Sequence, residues 1–253
     1  MIILKTHKEI EIMREANRIV AEILQKIGET IQPGTTTGEL DKIADRMIEQ
    51  AKARSAFKGY RMRNQKPYPA SICSSVNEEV VHGIPGSRVL KEGDIVGIDV
   101  GVVYKGFVGD AAKTFAVGKI SDEASNLLHV TEESLYKGIS QAVEGKRLMD
   151  ISGAIQNHVE THGFSVVRDF VGHGVGRKMH EPPQIPNYRS PGWNPRLQAG
   201  MALALEPMVN EGTWRIKLLD DEWTAVTADG KLSAHFEHSI AITDNGPLIL
   251  SEV

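Results

Sequence analysis

The stretch from Asp94 to Phe115, DIVGIDVGVVYKGFVGDAAKTF, constrains the fold most, because it sets two carboxylates inside an apolar, β-branched run. Val and Ile alternate with small residues up to Val103, Tyr104 and Lys105 make a two-residue turn before Gly106, and a second apolar run follows. The pattern predicts a β-hairpin. Asp99 and Asp110 are equidistant from that turn. The predicted register therefore sets them directly opposite each other on one face, with Cβ atoms roughly 5 Å apart. Like charges that close repel, and a cation held between them relieves the repulsion. The competing reading is a solvated hairpin with incidental acids. Two acids on one face, flanked by Ile98, Val100 and Val108, argue for a site instead. A bulged turn at Lys105 and Gly106 would slip the pairing by one and weaken that argument.

The chain has 253 residues, enough for one large core, and no linker divides it, so a single catalytic domain over 1–253 is expected. A formal net charge of -4 gives no reason to expect nucleic-acid binding as the main task. One cysteine, Cys73, excludes an intramolecular disulfide and fits a reducing compartment. No segment approaches the roughly 20 apolar residues of a membrane span, and the N-terminus lacks a secretory apolar core. A cytoplasmic protein with no membrane association is expected, as a monomer.

Two amphipathic helices open the chain. Thr6 with Glu9 and Thr36 with Glu39 form capping-box patterns, each followed by apolar residues at helical spacing. Lys52 to Lys66 carries six Lys or Arg and no acid, with Phe57 and Tyr60 interleaved. That segment reads as a solvated helix end and loop, or as a phosphate-contacting patch. SICSSV is a short strand candidate holding Cys73, and it leads to His82 at a strand end. Ser121 to Val143 and Asp150 to His162 read as two more helices, the second capped by Asp150 and followed by Gly163.

In VGHGVGRKMH, Gly172, Gly174 and Gly176 disfavour helix and permit close backbone approach. His173 and His180 are seven apart, which on an extended segment places them on opposite faces. Glu181 to Pro195 reads as a loop. A strand from Met201 to Val209 is interrupted by Glu206 and Pro207, and a last strand, His235 to Thr243, contains Glu237. Each of these acids stands among apolar neighbours, which is costly unless it is paired or bound to metal. Asp99, Asp110, His173, Glu206 and Glu237 suit two divalent ions, the four negative charges offsetting those of the metals. Oxygen-rich ligation with one nitrogen favours Mn, Fe or Co over structural zinc. Paired ions activate water, so hydrolysis is the predicted reaction. Spacing alone does not assemble these residues into one site.

NEEVVHGIP, DIVGIDVGVVYKGFVGDAAKTF, GHGVGRKMHEPP, ALEPM and HFEHSIAIT resemble the signature segments of the type I methionine aminopeptidases of peptidase family M24, in order and spacing over essentially the whole chain. The resemblance implies an α+β pita-bread fold, two similar halves around an antiparallel sheet with a dimetal site at its centre. Carried over by position, Asp99 would bind one metal, Asp110 and Glu237 would bridge both, and His173 and Glu206 would complete the other. The ions would be Co, Mn, Fe or Zn. The family pattern gives Glu206 the proton of the attacking hydroxide, His180 the carbonyl oxygen, and His82 the scissile amide or departing amine. Tyr68, Cys73, Met179, Met208 and Trp223 resemble the pocket for a methionine side chain. Met179 stands where the bacterial enzymes usually have Phe, and KPYP replaces an aromatic-rich approach to the pocket. The missing type II insertion and the lack of a zinc-finger extension before Thr6 imply the bacterial form of the family. The implied activity is removal of N-terminal methionine from nascent proteins and peptides when the second residue is small, with ribosome contact through segment 52–66. The alternatives are a Xaa-Pro-type peptidase of the same fold, or a non-catalytic binder of peptide ends.

Overall fold

The structure, a computed structural model, describes residues 1–61 and 66–252. Both N-terminal capping boxes form as predicted. Helix α1, His7–Thr30, starts where Thr6 Oγ1 accepts from the Glu9 backbone N–H at 3.3 Å and Glu9 returns a bond to Thr6 N at 3.0 Å. Helix α2, Thr37–Gln50, repeats the arrangement with Thr36 and Glu39. Two orphan donors at each helix start are thereby satisfied. Helix α3, Asp122–Ile139, is capped by Ser121. Helix α4, Leu148–Thr161, departs from expectation: it begins two residues before Asp150, with Arg147 as its N-cap. Asp150 is the third helical residue and accepts from the Arg147 N–H at 2.8 Å, the same group a cap box uses, so its anchoring role survives at a shifted position.

The main sheet has nine strands, in the order Arg54–Ser55, Ile95–Tyr104, Phe107–Ala116, Glu237–Thr243, Ala202–Leu205, Gly172–Gly174, Glu181–Ile185, with Ile72–Val76 also pairing with Ile95–Tyr104 and Gly246–Ile249 with Glu237–Thr243. Helices α1 and α2 pack on the half built from the Ile95–Tyr104 and Ile72–Val76 strands, burying Val20, Ile23, Ile27 and Leu40 against Ile72, Val96 and Ile98. Helices α3 and α4 cover the other half, burying Leu127, Leu135, Ile151 and Ile155 with Leu203, Leu205 and Ile240. The antiparallel sheet is thus clad by two helix pairs, one per half.

Gly109 lets α1 lie directly on the hairpin, since a Cβ there would sit 2.5 Å from the Ala16 backbone carbon. The contact gives the buried Asn17 a purpose. Its Oδ1 accepts from the Asp110 backbone N–H at 3.1 Å and its Nδ2 donates to Met13 O at 2.9 Å, so the helix holds the acid-bearing strand by its main chain.

Two strands leave the main sheet where the acids sit. Ala202–Leu205 belongs to the main sheet, whereas Met208–Asn210 pairs with Ser233–His235 and Ser165–Val166 in a second sheet. The predicted break at Glu206 and Pro207 is therefore a crossing between sheets, and Phe236 marks a second crossing, into Glu237–Thr243. Glu181–Ile185, expected as part of a loop, is an edge strand paired with Gly172–Gly174. Its prolines, Pro182 and Pro183, are what suggest a loop. An edge position tolerates them because it does not need every N–H for the ladder.

Candidate metal centre and substrate pocket

The hairpin turns at Lys105 and Gly106, which take φ of 47° and 82°, with Tyr104 opposite Phe107. Asp99 consequently faces Ala112 and Asp110 faces Gly101. The predicted direct pairing of the two acids is off by two residues. Because side chains alternate with a period of two, that error keeps both carboxylates on one face and makes them diagonal neighbours.

The register also explains how the other acids arrive. Cys73 pairs with Asp99, Asp99 with Ala112, and Ala112 with Glu237, so these four form one row across four strands. The small Ala112 leaves space above itself between Asp99 and Glu237. His173 pairs with Ala204, one residue before Leu205, which is followed by Glu206 at the crossing. Backbone pairing alone thus brings five residues from four segments to one spot.

Their electrostatics are those of a site built for cations. Asp110 and Glu237 are buried, and Asp99 Oδ1, Asp110 Oδ1 and Glu237 Oε1 have no hydrogen-bond partner. Burial pushes the Asp99 carboxyl up to about 7. Burial also raises Asp110, Glu206 and Glu237 well above the ordinary carboxylate range, and their mutual repulsion adds to it. His173 is pushed down to about 3 by burial and then by His180, so it is neutral. Its Nδ1 donates to Gly174 O at 2.9 Å. The Nε2 lone pair is left facing Glu206 Oε1 at 3.4 Å and Asp110 Oδ2 at 3.8 Å, acceptor against acceptor. Ligand atoms of Asp110, His173 and Glu237 all lie within 4.8 Å of one another. A divalent cation resolves each of these conflicts at once, and the donor set fits one.

A cavity of about 300 Å³ opens over this cradle, and all twelve sequence-predicted site residues line it. Tyr68, Cys73 and Trp223 pack together with Phe57, Tyr68 and Trp223 meeting edge to face at 5.2 Å. The Tyr68 hydroxyl lies 2.8 Å from Gly83 O and 3.0 Å from Ile72 O, and Trp223 Nε1 donates to Lys66 O at 3.1 Å. Their polar ends are thereby turned away from an apolar wall. Burial raises the Cys73 thiol well above its usual range, with Asp99 adding to it, so it is a neutral wall residue. Met208 is fully buried beside Val81 and Val167, and Met179 packs from the loop side.

His82 occupies left-handed backbone, φ 61°, with its ring against Phe170 at 5.2 Å and Trp223 at 6.3 Å. Burial, then His180, lowers it to about 4, so it stands neutral. The expectation that His173 and His180 lie on opposite faces fails: their rings meet edge to face with centroids 4.4 Å apart. The chain turns between them and returns as the Glu181–Ile185 strand, so the two never share one extended segment.

Three contributors escaped the sequence reading. Tyr60 places its hydroxyl 2.7 Å from His180 Nδ1. Phe170 braces His82. Lys5 Nζ pairs with Glu181 at 2.6 Å, and Glu181 also accepts from the Arg177 and Lys178 N–H groups at 2.9 and 3.1 Å, which pins the loop that carries Met179 and His180. Tyr60 carried a signal as an aromatic in the basic segment; the other two gave none. Within that segment Lys58 is paired with Asp45 at 2.7 Å and Lys66 with Glu222 at 3.6 Å, while Arg63 lies outside the described residues. Among the described residues no helix is long and apolar enough to cross a membrane.

A family model, Metallopeptidase family M24, matches residues 11–244. The chain is 57% identical over 251 residues to a methionine aminopeptidase of Clostridium perfringens, covering 99% of both chains. It is 56% identical over 253 residues to methionine aminopeptidase 1 of Bacillus subtilis, covering 100% of both. The crystal structure of methionine aminopeptidase from Thermotoga maritima superposes with a TM-score of 0.96 at 49% identity over the full length of each chain. A Xaa-Pro dipeptidase from Bacillus anthracis shares the fold, with a TM-score of 0.75 at 22% identity, but this chain covers 62% of it. The pita-bread arrangement expected from the signature segments is thus the observed one.

Proposed function

The chain belongs to metallopeptidase family M24, and from that membership we propose that it removes the N-terminal methionine of proteins and peptides by hydrolysing their first peptide bond. One observation carries the reading: the acid-lined cradle and an apolar wall that includes Tyr68, Met179, Met208 and Trp223 share a single cavity of about 300 Å³. Full-length similarity to methionine aminopeptidases supports it, and the Xaa-Pro alternative is supported by fold alone.

Two divalent ions, of Co, Mn, Fe or Zn, fit the donor set. Asp99 would hold one, His173 and Glu206 the other, and Asp110 with Glu237 would serve both, so that four carboxylates would balance two dications. When bound, the ions supply Lewis acidity, polarising the scissile carbonyl and lowering the pKa of water. The residues do the rest. Glu206 takes up the proton released from the attacking water. His180, held by Tyr60, donates from Nε2 to the carbonyl oxygen as negative charge develops there. His82, neutral and fixed between Phe170 and Trp223, contacts the amide nitrogen that leaves. Tyr68, Cys73, Met179, Met208 and Trp223 receive the methionine side chain, and a small second residue clears the rim. The substrate's free amino group binds on the Asp99 side, which restricts cleavage to one residue.

The enzyme acts as a cytoplasmic monomer on new N-termini. Docking on the ribosome through segment 52–66 would leave co-sedimentation altered by charge reversal of Arg61, Arg63 and Lys66. The decisive test of the function is hydrolysis of Met-Ala-Ser, Leu-Ala-Ser and Ala-Pro-Ala by protein reloaded with each metal. Release of methionine from the first peptide alone is expected, and preference for the proline peptide would overturn the reading.

A further inference from the structure

The outer face of α3 and α4 carries four metal-ligating side chains that the proposed reaction does not use, and none of them lines the catalytic cavity. His129 and Glu133 are an i, i+4 pair on α3, and His158 and His162 are an i, i+4 pair at the end of α4, where His162 is the C-cap. Residues at that spacing lie on one helix face, one turn apart. The two helices pack closely and run in opposite directions: Gly138, near the end of α3, lies against Ile151 and Ile155 in the first half of α4. Glu133 is thereby set opposite His158, with His129 and His162 one turn further along their helices.

The contacts bear this out. His158 Nε2 lies 3.1 Å from Glu133 Oε2, and His129 Nε2 lies 3.4 Å from Glu133 Oε1. The His158 and His162 rings are 4.5 Å apart. The two donor separations at Glu133 match the edge of a tetrahedron around zinc, about 3.3 Å for bond lengths of about 2.0 Å. His162 Nδ1 donates to His158 O at 2.7 Å, so Nε2 is the ring nitrogen left to meet a ligand. Burial and then His162 lower the pKa of His158, which keeps that ring neutral in spite of Glu133. A hydrogen bond from the neutral ring explains why Glu133 meets His158, but not why a second imidazole, His162, lies beside it.

We propose that His129, Glu133, His158 and His162 form a second metal site, for a transition-metal ion that favours imidazole such as Zn²⁺ or Ni²⁺, which clamps α3 to α4. Three nitrogens and one oxygen distinguish it from the carboxylate-rich cradle. His158, with its side chain 14% exposed, is the fixed ligand; Glu133 and His129, at 43% and 68%, are free to re-aim. Closure requires His129 and His162, both exposed, to turn inward.

The test counts ions. Metal-free wild type, the double variant His129→Ala with His162→Ala, and Glu133→Gln are dialysed against zinc or nickel and bound metal is measured by mass spectrometry, alongside hydrolysis of Met-Ala-Ser. Both variants alter only partly exposed side chains, so folding is retained. The expected result is one tightly bound ion fewer per chain in each variant, with hydrolysis unchanged, and weaker retention on a nickel column. Equal metal content in wild type and both variants would overturn the proposal, as would loss of hydrolysis in step with the missing ion.

Discussion

The two walls of the catalytic cavity are built by opposite means. The cradle wall rests on sheet register: Asp99, Ala112 and Glu237 stand in one row, and Asn17 of α1 anchors Asp110 by its main chain. One carboxylate oxygen each of Asp99, Asp110 and Glu237 has no hydrogen-bond partner, and the acids repel one another. The histidine wall is the reverse. His82, Met179 and His180 lie outside regular strands, and their positions depend on side-chain contacts such as Tyr60 to His180 and Lys5 to Glu181. Backbone pairing carries the electrostatically stressed groups, and side-chain contacts carry the loop-borne ones. Mutations on the first wall should therefore change what is bound, and those on the second how well the bound substrate reacts.

The largest effect is expected from Asp110→Asn. Removing the group assigned to both ions should lower kcat/KM by more than the roughly 10- to 100-fold typical of outer-shell changes, and metal analysis should find both catalytic ions depleted. The metal-free variant should melt no lower than metal-free wild type, because a buried repelling charge is gone. Depletion of one ion with the other retained would refute the bridging role.

His180→Ala sharpens the contrast. It should keep both catalytic ions, leave KM nearly unchanged and lower kcat roughly 10²- to 10³-fold, the loss that follows removal of one oxyanion donor. Loss of metal in that variant would place His180 in the wrong wall. Tyr60→Phe is the finer probe. The proposed role needs the Tyr60 hydroxyl to donate to Nδ1, which keeps the His180 proton on Nε2. Losing it should cost about tenfold in kcat with metal content and melting temperature unchanged. A rise in KM alone would make Tyr60 a pocket residue instead.

The two walls also differ in how legible they are. Cradle residues stand out because an acid in a β-branched run is costly, and period-two alternation gives the face even when the turn is misjudged. Lys105 and Gly106, not Tyr104 and Lys105, form the turn because Gly106 accepts positive φ freely, and the resulting slip of two preserved the face. The histidine wall depends on pairings that no local rule encodes. Tyr60 and His180 are 120 residues apart, Lys5 and Glu181 176. His173 and His180 were misjudged for the same reason, since a segment that folds back has no single extended face.

The smallest effect on catalysis, and the one that ties stability to the loop wall, is expected from Lys5→Met. The Lys5–Glu181 pair has both side chains 5% exposed, and the substitution leaves Glu181 buried with only the Arg177 and Lys178 N–H groups as donors. Breaking a buried pair this way costs about 3–5 kcal/mol, so melting should fall by several degrees while kcat falls only a few-fold, through the loop that carries His180. The sign of the pH dependence follows from Glu181. Burial raises its pKa, but hydrogen bonds from Lys5 and the loop amides outweigh that and hold it below its ordinary 4.5. A carboxylate lowered in the folded state binds fewer protons there than when unfolded. Its stabilisation is therefore complete above about 4.5 and is lost as pH falls through the folded value. The melting difference between wild type and Lys5→Met should be widest near pH 8 and shrink as the pH falls, because without Lys5 the buried carboxyl takes up its proton at higher pH than in wild type. A difference that persists undiminished into acid would mean that Lys5 acts through the packing of its stem, and that the loop wall is held without the charge.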